Sequence, residues 1–399
     1  MAKARIGFLF NHDQVHQVAH SLPIAIALAR QSRDFEIVIA VTNARLRDEV
    51  ERLMGQFGRG VVLPVETLQC HSSYSRFMIA MLDGIIPIAK LALYRDNLDF
   101  FASLDALVVA EKTSALLKTR YGLDRLKLIH TRHGAGDRAI GFNKASANFD
   151  FVLVSGPKIR DRLVADARVD PSRLAVVGYP KFDLLPAQPR LLPMQANGRK
   201  TILYNPHVSP HLSSWYDDGL AVLEHFYRSS DYNLIFAPHV MLFERPFAVT
   251  VDKLRLRRPG KIPSRYLNAP NIHVDLDSSA CTDMTYTQAA DLYLGDVSSQ
   301  VYEFLVRPRP CLFINSHGAA YGSDPNYTHW RSGEVIRSAA GLGPALDRAW
   351  TQHGGYERIQ RRLFAQSIAL TNARSSDRAA AAIAAFLGKG AAAAIRKAA

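Results

Sequence analysis

Short apolar runs alternate with helical stretches along the first half of the chain. The runs are rich in β-branched and aromatic residues, which is typical of buried strands, and the stretch 43–54 carries charges on one face, as amphipathic helices do. Strands that alternate with helices predict parallel pairing and right-handed crossovers. The predicted strands are 5–10, 35–41, 106–109, 126–130, 149–154 and 174–177, and the predicted helices are 23–31, 43–54 and 112–121.

The alternation stops at a linker and then begins again. Residues 187–200 contain two prolines and a glycine and show little periodicity, which indicates a connection between domains. A length of 399 residues suits two domains. We expect an N-terminal domain over 1–186, a C-terminal domain over 201–365, and a helical segment with a tail over 366–399. Strands are predicted at 201–204, 234–236, 272–274, 292–294 and 311–314, helices at 219–228, 284–290 and 299–305, and a long polar loop at 243–270.

Composition and charge narrow the class of partner. The chain is 48% hydrophobic and 21% charged, which is globular, and its formal net charge of +13 favours anionic partners such as nucleotides. No nucleic-acid-binding motif accompanies this charge, so nucleic acid is not an expected partner. Three cysteines at spacings that match no metal motif argue against a disulfide framework. The first residues run into a strand without a signal-peptide pattern, and a cytoplasmic location is expected.

The longest apolar run, residues 77–93, is interrupted by Asp83, Pro87 and Lys90. It is therefore not a membrane-spanning segment. A helix of the core or of a domain interface is the favoured interpretation. The alternative is a helix lying on a membrane surface, which would place the protein at the inner face of the cell membrane.

In parallel sheets, ligands bind beyond the carboxyl ends of the strands, so the residues after each strand are the first candidates. Residues 295–299, Gly-Asp-Val-Ser-Ser, follow the predicted strand 292–294. Ser298 or Ser299 can cap the next helix, whose free backbone N–H groups favour an anion such as a diphosphate. Glu303 lies one turn further on, where it can accept ribose hydroxyls. A serine cap without a ligand is the alternative.

Two other strand ends carry histidine. Residues 129–138 contain two histidines, two arginines and two glycines. Glycine permits close approach of the backbone, and histidine can act as a base near neutral pH. His239 follows the predicted strand 234–236 and can hold a phosphate, although a lone histidine is more often structural.

The loop after the first strand holds His12, His16 and His20. No carboxylate–histidine motif accompanies them, so we expect no metal. His20 instead suggests an acceptor-side loop that caps the first helix. The chain also contains no P-loop, no G-x-G-x-x-G after the first strand and no G-x-S-x-G elbow. These absences disfavour a kinase, a simple dehydrogenase and a serine hydrolase, and no cofactor is expected.

Five stretches between residues 130 and 333 resemble the CDP-glycerol glycerophosphotransferase family, the teichoic-acid-type polymerases and primases with a glycosyltransferase-B fold. The resemblance has two departures: residues 135–138 replace the family's Thr-Pro-x-Lys, and Val297 replaces the tyrosine of its serine turn. The five stretches are His133-Gly134, the Gly-Tyr-Pro-Lys-Phe-Asp of 178–183, the Ile-Leu-Tyr-Asn-Pro of 202–206 with His207 next, Pro238-His239, and the Asp-Val-Ser-Ser of 296–299.

This resemblance implies an α/β protein of two Rossmann-like domains that face each other across a cleft, acceptor-side first and nucleotide-donor-binding second. It implies metal-independent transfer from a CDP-alcohol to a hydroxyl of a saccharide or lipid-linked glycan in cell-envelope biosynthesis. His133 would be the general base, His239 would steady the donor phosphates, and Ser298 with Ser299 would hold the diphosphate. The other expected substrate-binding residues are His20, Arg132, Gly134, Asp137, Arg138, Tyr179, Lys181, Asn205, His207, Asp296 and Glu303.

Two alternatives stay open at the level of sequence. The first is a UDP-sugar-dependent glycosyltransferase or a UDP-GlcNAc 2-epimerase-like enzyme on the same scaffold. The second is a catalytically silent protein that binds a glycan or a nucleotide.

Overall fold

The computed structural model describes residues 3–12, 14–71, 88–132, 134–186, 188–250 and 253–388. The chain divides into two compact units. Unit 1 comprises Met1–His133, Phe142–Leu185 and Gln366–Ala399, and unit 2 comprises Gly134–Gly141 and Pro186–Ala365.

Unit 1 is built on a parallel sheet with the strand order β3-β2-β1-β4-β5-β6-β7. Its strands are β1 (Ala4–Phe10), β2 (Phe35–Val41), β3 (Val65–Thr67), β4 (Ala106–Val109), β5 (Lys127–Thr131), β6 (Phe151–Val154) and β7 (Leu174–Val176). The helices along this part of the chain are α1 (Val18–Gln31), α2 (Ala44–Phe57), α3 (Ile88–Asp96), α4 (Leu98–Ala102), α5 (Leu116–Thr119) and α6 (Pro157–Ala165).

Unit 2 contains a second parallel sheet, in the order β12-β9-β8-β13-β14-β15, and a small antiparallel pair, β10 with β11. Its strands are β8 (Lys200–Asn205), β9 (Tyr232–Phe236), β10 (Ala248–Thr250), β11 (Arg255–Arg257), β12 (Ile272–Val274), β13 (Leu292–Gly295), β14 (Cys311–Ile314) and β15 (Glu334–Ile336). The remaining helices are α7 (Trp215–Arg228), α8 (Ser264–Leu267), α9 (Thr285–Ala289), α10 (Gln300–Phe304), α11 (Leu342–Thr351), α12 (Gly354–Ser367) and α13 (Ser375–Phe386).

The sheet of unit 1 is covered on both faces, which is why strands such as β4 (Ala106–Val109) and β6 (Phe151–Val154) are apolar and buried throughout. Along β1, Ile6, Phe8 and Phe10 point into one core, while Leu9 belongs to the core on the opposite face. Helix α13 completes the first of these cores, because its Ile383 packs in the same cluster as residues of α1. The last helix of the chain is therefore part of unit 1.

Both sheets have the strand order of a doubly wound Rossmann-like fold, with the order reversing beside the first strand of each unit. The predicted α/β class is confirmed, and each strand predicted from the pattern is present with shifts at its ends. The short edge strands β3 and β15 and the pair β10–β11 were not predicted. They are three residues long each, too short to show a period. Most of the apolar run 77–93 lies outside the described residues.

Candidate functional site

The point where the strand order of unit 2 reverses lies between β8 and β13, which are neighbours in the sheet. In a doubly wound fold this is where the loops diverge and leave room for a ligand. Asn205 ends β8, and its side chain donates to the carbonyl of Ala237 at 2.7 Å and accepts from the Tyr293 hydroxyl at 3.1 Å. Asn205 thus ties together the carboxyl ends of three strands and is buried beneath the loops that follow them.

Asp296, the first residue after β13, is fully buried and organises those loops. One carboxylate oxygen accepts from the backbone N–H of His207 at 2.9 Å and of Val297 at 2.6 Å. The other accepts from the backbone N–H of Ser214 at 2.6 Å and from its hydroxyl at 2.9 Å. Burial raises the pKa of Asp296 to about 6, although these hydrogen bonds act in the opposite direction. The carboxylate fixes the loop that carries His207.

His207 and His239 follow β8 and β9, and both rings are held in the same way. The Nδ1 of His207 accepts from the backbone N–H of Ser209 at 2.9 Å, and the Nδ1 of His239 accepts from that of Met241 at 3.3 Å. A neutral imidazole has one acceptor nitrogen, so the ring of His239 carries its proton on Nε2. The two ring centroids are 5.7 Å apart. The loops therefore present the N–H donor of His239 beside the ring of His207.

Arg138 adds a cation to this pair. Its Nη1 lies 2.9 Å from the Nε2 of His207. Burial, and then the charge of Arg138, lower the pKa of His239 to about 4. The same two causes, in the same order, lower the pKa of His207 well below its ordinary value. A guanidinium only donates, so the Nε2 of His207 accepts from Arg138. Near neutral pH the cluster therefore offers the N–H of His239 and the guanidinium of Arg138, which is the chemistry that binds phosphate oxygens.

The glycine-rich segment and the serine turn, both predicted from the sequence, meet in space. A Cβ at Gly134 would lie 3.5 Å from the Ser299 hydroxyl oxygen, and a Cβ at Gly136 would lie 2.9 Å from the Ser299 Cβ. The hydroxyl of Ser298 accepts from the backbone N–H of Gln300 at 3.3 Å, while Ser299, the N-cap residue, makes no side-chain cap hydrogen bond. Helix α10 that follows is only five residues long, so its dipole can contribute little to the binding of an anion.

A buried network anchors the segment that carries Arg138. The carboxylate of Asp137 accepts from the Tyr302 hydroxyl at 2.8 Å, from the His329 backbone N–H at 3.0 Å and from the His329 Nδ1 at 2.9 Å. The Nε2 of His329 lies 3.0 Å from the carbonyl oxygen of Asp296. Both nitrogens of His329 therefore face acceptors. His329 was not among the predicted site residues, because it follows no strand and belongs to no stretch of the family resemblance.

The other predicted site residues are distributed as follows. Glu303 is buried on α10 of unit 2. In unit 1, Arg132 is stacked over the ring of Phe142, with its guanidinium carbon 4.8 Å from the ring centroid. His133 lies outside the described residues. The described part of unit 2 brings together Gly134, Asp137, Arg138, Asn205, His207, His239, Asp296, Ser298 and Ser299.

The stretch 178–183 makes contacts within unit 1. The carboxylate of Asp183 accepts from the backbone N–H groups of Ser375 at 3.2 Å and Ser376 at 2.6 Å, and so caps α13. The ring of Tyr179 lies edge-on to His20, with centroids 5.2 Å apart. Lys181 is 4% exposed. The observed contacts of this stretch hold the C-terminal helix, and substrate binding by Tyr179, Lys181 and His20 stays a prediction.

Within the described ranges, no group of three or more His, Cys, Asp or Glu side chains is arranged to hold a metal ion. In the same residues, no helix combines the length and the apolar character needed to span a membrane.

Neither a known family profile nor a curated protein matches the chain by sequence. Solved structures do match it. A candidate UDP-N-acetylglucosamine 2-epimerase from Listeria monocytogenes aligns with 97% of this chain and 97% of its own, at 13% identity and a TM-score of 0.62. S. aureus MnaA, solved with UDP, aligns with 96% of this chain and 97% of its own, at 11% identity and a TM-score of 0.60. A variant of the wall teichoic acid polymerase TagF aligns with 97% of this chain and 90% of its own, at 14% identity and a TM-score of 0.59. These likenesses establish a shared two-unit α/β fold.

Proposed function

We propose that the protein is a transferase that moves a glycerophosphate-type group from a CDP-alcohol to a hydroxyl of a saccharide or lipid-linked glycan. The observation that carries the proposal is the cluster of Arg138, His207 and His239, at the carboxyl ends of β8 and β9, where unit 2 reverses its strand order. A diphosphate has several anionic oxygens and no proton to donate near neutral pH. It therefore complements a site that offers a guanidinium and the imidazole N–H donor of His239.

The residues around this cluster have distinct proposed roles. Arg138 and His239 hold the phosphate oxygens, and Ser298 with Ser299 adds hydroxyl donors at the facing turn. His207 orients the guanidinium. Because Asp296 and Asp137 fix the backbone of both loops, the donors are in place before the ligand arrives, which is the condition for electrostatic stabilisation of a transition state.

The proposed reaction is a single displacement at phosphorus. The acceptor hydroxyl oxygen forms a bond to the alcohol-bearing phosphorus, the bond from that phosphorus to the CMP oxygen breaks, and CMP leaves with the electron pair. The resemblance to glycerophosphotransferases assigns the departing hydroxyl proton to His133. No metal is required, because Arg138 and the N–H of His239 offset the charge that develops on the leaving phosphate.

A UDP-sugar is the second candidate donor. The fold is shared with S. aureus MnaA, which was solved with UDP, as well as with TagF, of which one crystal was soaked with CDPG. The absence of the Thr-Pro-x-Lys sequence at 135–138 also removes one feature of the CDP-glycerol family. The diphosphate cluster serves either donor, so the two candidates differ in the base that is read and in the group that is transferred.

We expect CMP to inhibit turnover of CDP-glycerol at least about tenfold better than UMP. A site that pairs with the cytosine amino group leaves buried polar groups unpaired when uracil binds, at a cost of about 1–3 kcal/mol per group. Calorimetric titration with CDP-glycerol, CDP-ribitol, UDP-GlcNAc, CMP and UMP, followed by assays of CMP release with a saccharide acceptor, measures both affinity and activity. Equal inhibition, or a preference for UMP, would replace the CDP-alcohol by a UDP-sugar. Tight binding without turnover of any donor would indicate a silent binding protein.

Donor affinity should rise as the pH falls below about 6.5, the ordinary value for histidine. The pKa of His239 is lowered to about 4, and an anion beside a neutral imidazole raises its pKa, so binding takes up a proton. An anion also raises the pKa of Asp296, already about 6, and this acts in the same direction. Titrations with CDP-glycerol, whose phosphates do not titrate there, should show proton uptake between about pH 7.5 and about pH 5.5. His239→Gln should show less uptake. An affinity that stays constant across this window would place the diphosphate away from these groups.

A further inference from the structure

Unit 2 exposes a group of large apolar side chains on and beside the antiparallel pair β10–β11. Of the eleven large hydrophobic side chains that are exposed in the described part of the chain, four lie between residues 247 and 256. Exposed apolar residues scattered singly are ordinary, but a contiguous group of them marks a surface that contacts a protein or a membrane. The four are Phe247, Val249, Leu254 and Leu256.

The register of β10 and β11 places two of these side chains on the same face. Val249 pairs with Leu256, and the two residues are 56% and 63% exposed. Residues that lie directly opposite each other in an antiparallel pair point to the same side, and successive residues of a strand alternate between the two sides. Val249 and Leu256 therefore form one apolar face, and their neighbours along each strand lie on the other.

The other face attaches the pair to the rest of unit 2. Thr250 is buried, and its hydroxyl lies 3.0 Å from the Nδ1 of His211. Arg257 forms an ion pair with Asp217 on α7, and its guanidinium carbon lies 5.9 Å from the centroid of the Tyr216 ring. The pair β10–β11 is thus anchored through one face, and the apolar face is directed away from these contacts.

Basic side chains border the apolar face. Residues 244–261 contain six basic and two acidic residues, and Lys253 and Arg258 are exposed on either side of β11. Leu254 lies between Lys253 and β11 and is 92% exposed. Its φ of 47° is in the left-handed region that glycine and asparagine usually occupy. This part of unit 2 therefore combines exposed aliphatic side chains with an excess of positive charge.

We infer that the apolar face, together with Leu254 and its basic neighbours Lys253 and Arg258, binds an anionic lipid surface. Aliphatic side chains enter the boundary between the headgroups and the acyl chains, and the basic side chains beside them are attracted to anionic headgroups. A nucleic acid would attract the basic residues through its phosphates but would offer the leucines no apolar phase. A second copy of the chain, meeting the first through the same face, would bring two basic groups together. An anionic bilayer complements both the apolar and the basic side chains, and the inference does not depend on the diphosphate cluster.

The test is co-sedimentation of the full chain with two kinds of vesicle, one of phosphatidylcholine alone and one an equimolar mixture of phosphatidylcholine and phosphatidylglycerol. We expect the chain to bind the mixed vesicles more tightly than the neutral ones, and to dissociate as the salt concentration rises, because salt screens exposed charges. Leu254→Ser combined with Leu256→Ser should weaken binding to the mixed vesicles at least about tenfold. Lys253→Gln combined with Arg258→Gln should weaken it by about tenfold or more.

The matched controls change exposed residues of the same types outside 244–261. Leu191→Ser combined with Leu370→Ser is the control for the leucine pair, and Arg190→Gln combined with Arg199→Gln is the control for the basic pair. Both controls should bind the mixed vesicles as wild type does. All four double variants change exposed side chains, so circular dichroism and affinity for nucleotide should be unchanged, which separates this result from the fate of the proposed function.

Three results would overturn the inference. Wild-type protein that fails to bind the mixed vesicles at low salt has no such surface. Binding that survives both changes of Leu254 and Leu256 would place the membrane contact elsewhere on the chain. Polyglutamate, titrated as an anionic polymer without an apolar phase, could bind as tightly as the mixed vesicles and equally to the leucine variant. That result would indicate an acidic protein as the partner of the basic residues.

Equal binding of wild type to neutral and mixed vesicles would also contradict the inference, because it would leave Lys253 and Arg258 without a role.

Discussion

Asp296→Asn is expected to destabilise unit 2 by about 3–5 kcal/mol. The carboxylate accepts four hydrogen bonds, two at each oxygen. An asparagine side chain has one acceptor oxygen, so its NH₂ group must face two donors whichever way the amide turns. Relief from burying a charge offsets part of this loss. Chemical denaturation followed by circular dichroism measures the difference.

The pH dependence separates this mechanism from a general packing defect. The folded pKa of Asp296 is about 6, above its ordinary value of 3.8. The stability that this group contributes is therefore present below about pH 4 and is lost as the pH rises through about 6. The difference in the free energy of unfolding between wild type and Asp296→Asn should therefore increase as the pH falls from about 7 to about 5. Asp231→Asn, an exposed change in the same unit, should alter stability by no more than about 0.5 kcal/mol. A similarly small effect of Asp296→Asn would refute the organising role.

The rule that ligands bind beyond the carboxyl ends of parallel strands identified part of the candidate site, because the rule depends on local sequence pattern alone. Asp296 and His239 each follow a strand whose apolar run is visible in the sequence, whereas His207 was identified only through the family resemblance. The rule does not say which strand ends are neighbours, since that depends on strand order. The contact between Arg138 and His207 joins residues 69 positions apart. It forms because the segment 134–141 packs with unit 2. No periodicity in the sequence predicts this packing.

The first-loop histidines and the stretch 178–183 both stood out in the sequence, but their contacts in the structure differ from the expected ones. The histidines of the first loop were expected to bind no metal, and His20 was interpreted as part of an acceptor-side loop that caps the first helix. In the structure His12 contacts Glu111, a residue 99 positions away. The stretch 178–183 was noted for its family pattern, and its contacts hold α13 through Asp183. The sequence shows which residue types recur at a turn. It does not show whether they contact a ligand or a helix, because that depends on where the distant segment packs.

Arg138→Gln should weaken binding of any nucleoside diphosphate donor by about 100-fold or more. Each charge-assisted hydrogen bond to a phosphate contributes about 1.5–3 kcal/mol, and a guanidinium can make two. Arg138→Lys keeps the charge but not the two-pronged geometry, so its affinity should fall between those of wild type and the glutamine variant. Calorimetry with CDP-glycerol and UDP-GlcNAc measures the losses. The exposed Arg199→Gln, in the same unit, should bind both donors as wild type does.

A second readout of Arg138→Gln does not depend on the choice of donor. The charge of Arg138 is one cause of the lowered pKa values of His207 and His239, so removing it should raise both toward the ordinary histidine value. Histidine ¹⁵N titrations of the ligand-free protein follow this change, and Arg138→Lys should leave both pKa values near those of wild type. If the pKa values rise while donor affinity stays at the wild-type level, Arg138 acts on the imidazoles alone and the phosphates bind elsewhere. Raised pKa values together with lost affinity for both donors are expected, because the guanidinium, after burial, helps to lower both pKa values and also attracts the diphosphate.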